Sequence, residues 1–190
     1  MSGTIVSIQL GGLMNSNIKF LVKSGLFAAL ACVGTMSIQI PTPTGGYIHA
    51  GDSIVYLSGI FLGPIFGALA AAIGSMFADV FSGYAAWAIP TFIIKGLDAF
   101  IVAHIYKTLK KNSSEDSFSR NLFSFITAMI AGGVVMVSGY YLYERIILGD
   151  LGALGSVGPN IIQAVGGGVI ALLLFSALSK NKETKKNMEL

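Results

Sequence analysis

Four ionisable residues, Asp79, Lys95, Asp98 and Glu144, stand inside or at the edge of long runs of Ile, Leu, Val, Phe, Ala and Gly. A charge in a strongly apolar segment is costly, and in a membrane it faces a protein interior or a water-filled cavity. Trp87, Thr91 and Lys95 repeat every fourth position and Asp98 follows three later, so a helix would carry all four on one stripe. Two readings of Lys95 stand side by side: an ion pair with Asp98 or Asp79, or a charge and hydrogen-bond anchor for a polar ligand. Trp87 fits that inward stripe or an interfacial aromatic belt.

The segment YIHAGD brings Tyr47, His49 and Asp52 together, and Tyr56 shares a helical face with Asp52. Each can hydrogen-bond or stack; Asp52 would alternatively answer the positive end of a helix dipole. Ser75 and Asp79 lie one helical turn apart, Met136, Tyr140 and Glu144 form an i, i+4, i+8 stripe, and Asn160, Gln163 and Gly167 share another. With Tyr84, these polar and aromatic residues gather toward one end of the predicted helices. Interfacial polarity alone would decorate both ends, so the asymmetry predicts a ligand cavity open on one side.

The elements that must position these residues follow from composition. Of 190 residues, 54% are hydrophobic and only 11% charged, and the mean hydropathy is +0.75, which predicts an all-α integral membrane protein rather than a soluble, disordered, disulfide-stapled or nucleic-acid-binding one. Uncharged runs near the ~20 residues of a bilayer-crossing helix give six predicted spans, at about 19–40, 49–62, 65–81, 86–106, 122–143 and 159–178. Pro41 and Pro43 end the first, Gly63-Pro64 makes a tight helical hairpin of the second and third, Ser82-Gly83-Tyr84 ends the third, and a glycine-rich loop, LGDLGALGSVG, separates the last two. The membrane domain therefore covers 19–180, preceded by an extension, 1–18, in which Met14 is a candidate start, and followed by a basic tail, 181–190.

Lys19, Lys23, Lys107, Lys110, Lys111, Arg120, Lys180, Lys182, Lys185 and Lys186 all fall on one side of a six-span arrangement. Positive residues flanking spans stay in the cytoplasm, so both termini are predicted to be cytoplasmic and the polar cluster to face outward. No GxxxxGK[ST] loop, HExxH or Cys/His cluster is present, so neither ATP hydrolysis by that route nor a metal or other cofactor is expected. Ser53, His49 and Asp52 are adjacent, but adjacency on a helix does not aim three side chains at one another as a catalytic triad requires. Small residues repeat at four-residue spacing in Gly25 with Ala29, Ala28 with Cys32, and Gly67, Ala71 and Ser75, which lets a neighbouring helix approach closely.

Over residues 19 to 180 the pattern resembles the substrate-binding S components of energy-coupling-factor (ECF) vitamin transporters. The resemblance is carried by GLFAALACV, IPTPTGGYIHAGD, LSGIFLGPIFGALAAAIGSMFADVFSG and WAIPTFIIKGL, with Gly25 standing where an alanine is expected. It implies a non-enzymatic, multi-pass subunit of a prokaryotic plasma membrane that captures a water-soluble vitamin under the loop between spans one and two. It also implies that the face of Gly25, Ala28, Ala29 and Cys32 docks on a transmembrane coupling subunit driven by two cytosolic ATPases. The aromatic set Tyr47, Tyr56, Tyr84, Trp87 and Tyr140 would suit a flat heteroaromatic ring, and Lys95, Asp79 and Glu144 its polar substituents. A small pyridine or pyrimidine ring ranks first, riboflavin second and pantothenate third. A self-sufficient carrier or channel and a membrane-embedded enzyme are the alternatives, expected to show internal repeats or converging carboxylates respectively.

Overall fold

The computed structural model describes residues 16–111 and 117–179; the predicted start at Met14 and the basic tail lie outside them. Its elements are α1 (Ser16–Ser37), β1 (Gln39–Pro41), β2 (Tyr47–His49), α2 (Asp52–Phe81), α3 (Ala85–Lys111) and α4 (Phe118–Leu178). All four helices are long and apolar enough to cross a membrane. Their surface is the inverse of a soluble protein's. Leu151 is 88% exposed and Ile89, Leu21 and Leu173 are exposed too, whereas Asp52, Lys95 and Asp98 are fully buried, the distribution that a hydrocarbon solvent selects.

Two helices double back on themselves. In α2, Gly63 takes φ 77° and ψ −178° ahead of Pro64, a backbone state that only glycine enters without strain and one that precedes a residue lacking an N–H. The Ser58 hydroxyl donates to the Gly67 carbonyl at 3.0 Å, so the predicted hairpin forms. In α4, Gly149 (φ 76°, ψ 177°) plays the same part. The Phe125 and Phe175 rings pack at a tilt with centroids 4.7 Å apart, and Gly133 faces Ala164, pairings centred on that glycine.

Three sequence expectations change. The stretch 148–158, read as a glycine-rich loop, is helical except for the break at Gly149: in an apolar setting each unpaired backbone group is penalised, which outweighs glycine's entropy cost of ~1 kcal/mol. The second span begins at Asp52 rather than His49. The loop between α1 and α2 is a β-hairpin with Gln39 opposite His49 and Pro41 opposite Tyr47, turned through Thr42–Gly46, where the Thr42 N–H donates to the Gly46 carbonyl at 2.9 Å.

Glycines set the helix spacing. A Cβ at Gly59 would stand 2.5 Å from the Ala99 carbonyl oxygen, and one at Gly74 would stand 2.2 Å from that of Ala28, so α2 packs backbone to backbone on α3 and α1. Ala28 is therefore half-buried against α2, whereas Gly25 and Ala29 are exposed and Cys32 is half-buried. Tyr56, Ile60, Val102, Tyr106, Phe125 and Phe175 form the main apolar core, and Ile94, Met136 and Tyr140 a second one below the hairpin end.

Pro90 sits one turn into α3 and leaves the Ala86 carbonyl without its helical donor. The Tyr143 hydroxyl supplies one at 2.9 Å, tying α3 to α4 beside Trp87, whose ring lies edge-on to Tyr143 at 5.3 Å.

Candidate functional site

A cleft opens where the β-hairpin overlies the helix ends. It encloses about 440 Å³ of atom-free space, part of it continuous with solvent. Tyr47, His49, Asp79, Trp87, Thr91, Tyr140, Glu144, Asn160 and Gln163, all expected from the sequence, line it. The hairpin adds Thr42, Thr44, Gly46 and Ile48, and α4 adds Ser156 and Pro159. Ser156 escaped notice because 150–158 was read as loop; as helix, 156, 160, 163 and 167 form one stripe.

The walls are aromatic on one side. Trp87 and Tyr140 have ring centroids 6.3 Å apart, and Tyr47 packs on Tyr84 at 4.5 Å. Tyr84 thus supports a lining residue without lining the cleft itself. Gly46 at the hairpin tip lies against the Trp87 ring. The Tyr140 and Thr91 hydroxyls share a 3.0 Å hydrogen bond.

Two carboxylates complete the lining. Asp79 accepts from the Tyr47 hydroxyl at 2.6 Å through one oxygen; the other is buried without a partner. Burial, followed by the adjacent Asp79, raises the Tyr47 phenol well above its ordinary pKa, which keeps it a donor. Glu144 likewise has one buried oxygen without a partner. Beside it the Ser156 hydroxyl donates to the Ala153 carbonyl at 2.8 Å. Orphaned buried acceptors are expensive, and here they belong to residues that line an open space.

Beneath the cleft lies a closed polar network. Lys95 forms an ion pair with Asp52, both side chains fully buried, which corrects the expected pairing with Asp98 or Asp79. Helical proximity suggested Asp98, yet both of its carboxylate oxygens are buried without partners, while α2 brings Asp52 across to α3. The Lys95 ammonium also lies 5.4 Å from the centre of the Tyr140 ring, a cation–π distance.

Gln163 joins network to roof: its Nε2 donates to Asp52 at 3.0 Å and its Oε1 accepts from the His49 N–H at 3.1 Å. The His49 Nδ1 in turn accepts from the Gly51 N–H at 3.1 Å, which requires an unprotonated Nδ1. Burial, with the nearby Lys95 charge working in the same direction and Asp52 opposing, pushes the imidazole down to about 4. Tyr56, also expected in the ligand cluster, is buried below, its hydroxyl 3.4 Å from the Ala164 carbonyl. Asp52, Lys95 and Tyr56 are therefore placed under the cleft, not in its wall.

The comparisons agree with this architecture. A protein of Pyrococcus woesei, described only by its position in the gap 3′ region, is 34% identical over 139 residues, covering 73% of this chain and 86% of that protein. A solved structure described as the S component of a bacterial ECF transporter superposes with a TM-score of 0.68 at 20% identity, covering 86% of this chain and 97% of the other; it speaks for the fold. The profile of the family described as ECF-type riboflavin transporter, S component, matches residues 15–180, nearly the whole chain, and the chain accordingly belongs to that family of membrane-embedded ECF S components.

Proposed function

We propose that the chain captures riboflavin at the outer face of a prokaryotic plasma membrane for an ECF importer. S components are substrate-binding transport subunits, not enzymes, and partner with a transmembrane coupling subunit and ATPases. The observation that carries the substrate reading is the match of residues 15–180 to the family described as ECF-type riboflavin transporter, S component. The cleft supports it: the Trp87 and Tyr140 rings in its wall suit an aromatic ligand, and hydroxyl donors suit the unpartnered oxygens of Asp79 and Glu144. The family description names riboflavin, which supports that vitamin over the small pyridine or pyrimidine ring that the residues alone ranked first.

In the proposed topology α1, the two halves of α2, α3 and the two halves of α4 cross the membrane, with both termini cytoplasmic. The Gly63 turn lies beside the Lys107 ammonium, at the same end as Lys110 and Lys111, whereas Thr44 of the hairpin lies beside Gly155 near the other end. Positive residues on the cytoplasmic side then leave the cleft facing out. Docking on the coupling subunit falls to the exposed Gly25 and Ala29 with Cys32; Ala28 is engaged with Gly74.

Mass spectrometry of small molecules released from the purified, detergent-solubilised chain tests the substrate. Stoichiometric riboflavin is expected. A different bound vitamin would replace the substrate assignment, and a chain that retains and binds no vitamin would return the self-sufficient carrier to the fore.

A further inference from the structure

A two-stranded ribbon is marginal by itself, and the one formed by β1 and β2 is tied down from two sides. On the α2 side the Tyr47 hydroxyl donates to Asp79 at 2.6 Å and the Gln39 Nε2 to the Ser82 hydroxyl at 2.8 Å. On the α4 side the His49 backbone N–H donates to Gln163 Oε1 at 3.1 Å. The first two bonds run through side chains of the hairpin, which can turn without moving a strand. The third grips the backbone of β2 itself.

The Gln163 amide is in turn oriented from below. Its Nε2 donates to Asp52 at 3.0 Å, and Asp52 is paired with Lys95. An amide set between a backbone N–H and a carboxylate satisfies both in one orientation only; the flipped amide would oppose donor to donor and acceptor to acceptor. Gln163 is 3% exposed and Asp52 and Lys95 are fully buried, so little water competes for these bonds. Gly167, one turn further along α4, lets the helix come this close: a Cβ there would stand 2.7 Å from the Cβ of Asp52. Gln163 and His49 both line the cleft, so the bond between them is also part of its wall.

We infer that Gln163 is a positioning residue for ligand capture: its amide, set by Asp52 and Lys95, fixes the backbone of β2 and with it the wall that Tyr47 and His49 present to the ligand. The inference rests on the vitamin-capture reading. It gives the buried Lys95–Asp52 pair a task at the cleft without contact with the ligand. Loosening the Gln163 bond leaves the helices packed and the entrance open, so the cost falls on how long a ligand stays rather than on how fast it arrives.

Two variants of the full chain in nanodiscs are compared with wild type by amide hydrogen exchange without ligand and by the association and dissociation rates of riboflavin. Gln163→Met keeps the length of the side chain and removes both hydrogen bonds. The His49 amide should then exchange roughly tenfold faster and riboflavin should leave roughly tenfold faster, with association unchanged and the Val102 and Phe125 amides of the core as slow as before. Gln163→Glu should restore both properties at about pH 6, where a neutral carboxyl accepts from His49 and donates to Asp52, and lose them toward about pH 9 as that proton leaves. Asp52, Lys95 and His49 lie along its hydrogen-bond chain, and Tyr47, Asp79, Tyr140 and Glu144 share its cleft; the wild-type amide does not titrate. Should Gln163→Met loosen the core as well, the pH response of Gln163→Glu decides alone. Unchanged His49 exchange in Gln163→Met, faster exchange with riboflavin leaving as from wild type, or a Gln163→Glu chain without that pH response overturns the inference while leaving riboflavin capture intact. A wild-type chain that binds no riboflavin removes the substrate assignment, and faster His49 exchange in Gln163→Met still sustains the hold on β2.

Discussion

Lys95 and Asp52, 43 residues apart in the chain, meet as an ion pair with neither side chain exposed. Removing one partner of a buried pair strands a charge and costs about 3–5 kcal/mol, whereas replacing both with apolar groups of similar volume is often nearly neutral. Lys95→Ala should therefore lower the unfolding midpoint in detergent sharply, and Asp52→Leu with Lys95→Met should recover most of the loss. A Lys95→Ala chain as stable as wild type but defective in ligand binding would restore the direct ligand anchor.

The aromatic wall makes a separate claim. Trp87→Ala removes a ring that touches Gly46, Tyr140 and Tyr143, and should weaken ligand binding at least tenfold, about 1.4 kcal/mol, while the main core around Phe125 is untouched. Isothermal titration of the variant against wild type reads this directly; an unchanged dissociation constant would take Trp87 out of the site.

On α1 the two faces should separate by phenotype. Ala29→Leu adds bulk to an exposed position, so binding by the isolated chain should persist while uptake by the assembled transporter falls. Gly74→Leu would drive a side chain into the Ala28 carbonyl and should destabilise the chain itself by about 1–3 kcal/mol or more, as overpacking does. Uptake that survives Ala29→Leu unaltered would move the docking surface elsewhere.

The hairpin should be sensitive to acid. His49 is held near a pKa of about 4 against an ordinary 6.5, so the unfolded chain takes up the proton first as pH falls. Its contribution is complete above about pH 6.5 and declines progressively toward pH 4, with Asp52 and Lys95 as the charges facing it. Ligand affinity of the folded chain should be flat from pH 8 down to about 5 and weaken only as pH approaches 4, where His49 itself takes up a proton. His49→Asn, which keeps an acceptor but does not titrate, should flatten that decline; an identical pH profile in the variant would relocate the acid sensitivity.

How far the sequence speaks depends on whether a feature is local. The Gly63-Pro64 turn, the break at Ser82-Gly83-Tyr84 and the gathering of Tyr47, Asp79, Trp87, Tyr140 and Glu144 at one end of the helices are written in neighbouring residues and helical periods, and the structure has the two breaks at those positions and the five residues around one cleft. Lys95's partner is not local: Asp98 was nearer along the helix, but the approach of α2 to α3 at Gly59 and Ala99 decides the pairing. The helical state of 150–158 was hidden for another reason, since glycine's aqueous preference for loops is overruled where backbone groups have no water to turn to. The strand pairing of Gln39–Pro41 with Tyr47–His49 left no sign beyond a proline-rich, extended stretch, because three-residue strands are too short to display alternation.

One detail of connectivity bears on how occupancy is signalled. α1 ends at Ser37 and β1 begins at Gln39, so a single residue, Ile38, separates the helix that bears Gly25 and Ala29 from the roof over the cleft. A joint that short has almost no slack: tilting or lifting the hairpin pulls on the C-terminal end of α1 with no flexible tether to absorb the movement. Any free energy that a ligand spends on seating the roof is then felt along α1, and thermodynamic reciprocity requires that whatever grips α1 feeds back equally on the ligand. The shortest connection in the chain thereby sets the stiffness of the line between a full cleft and the helix face 9 to 13 residues away from it.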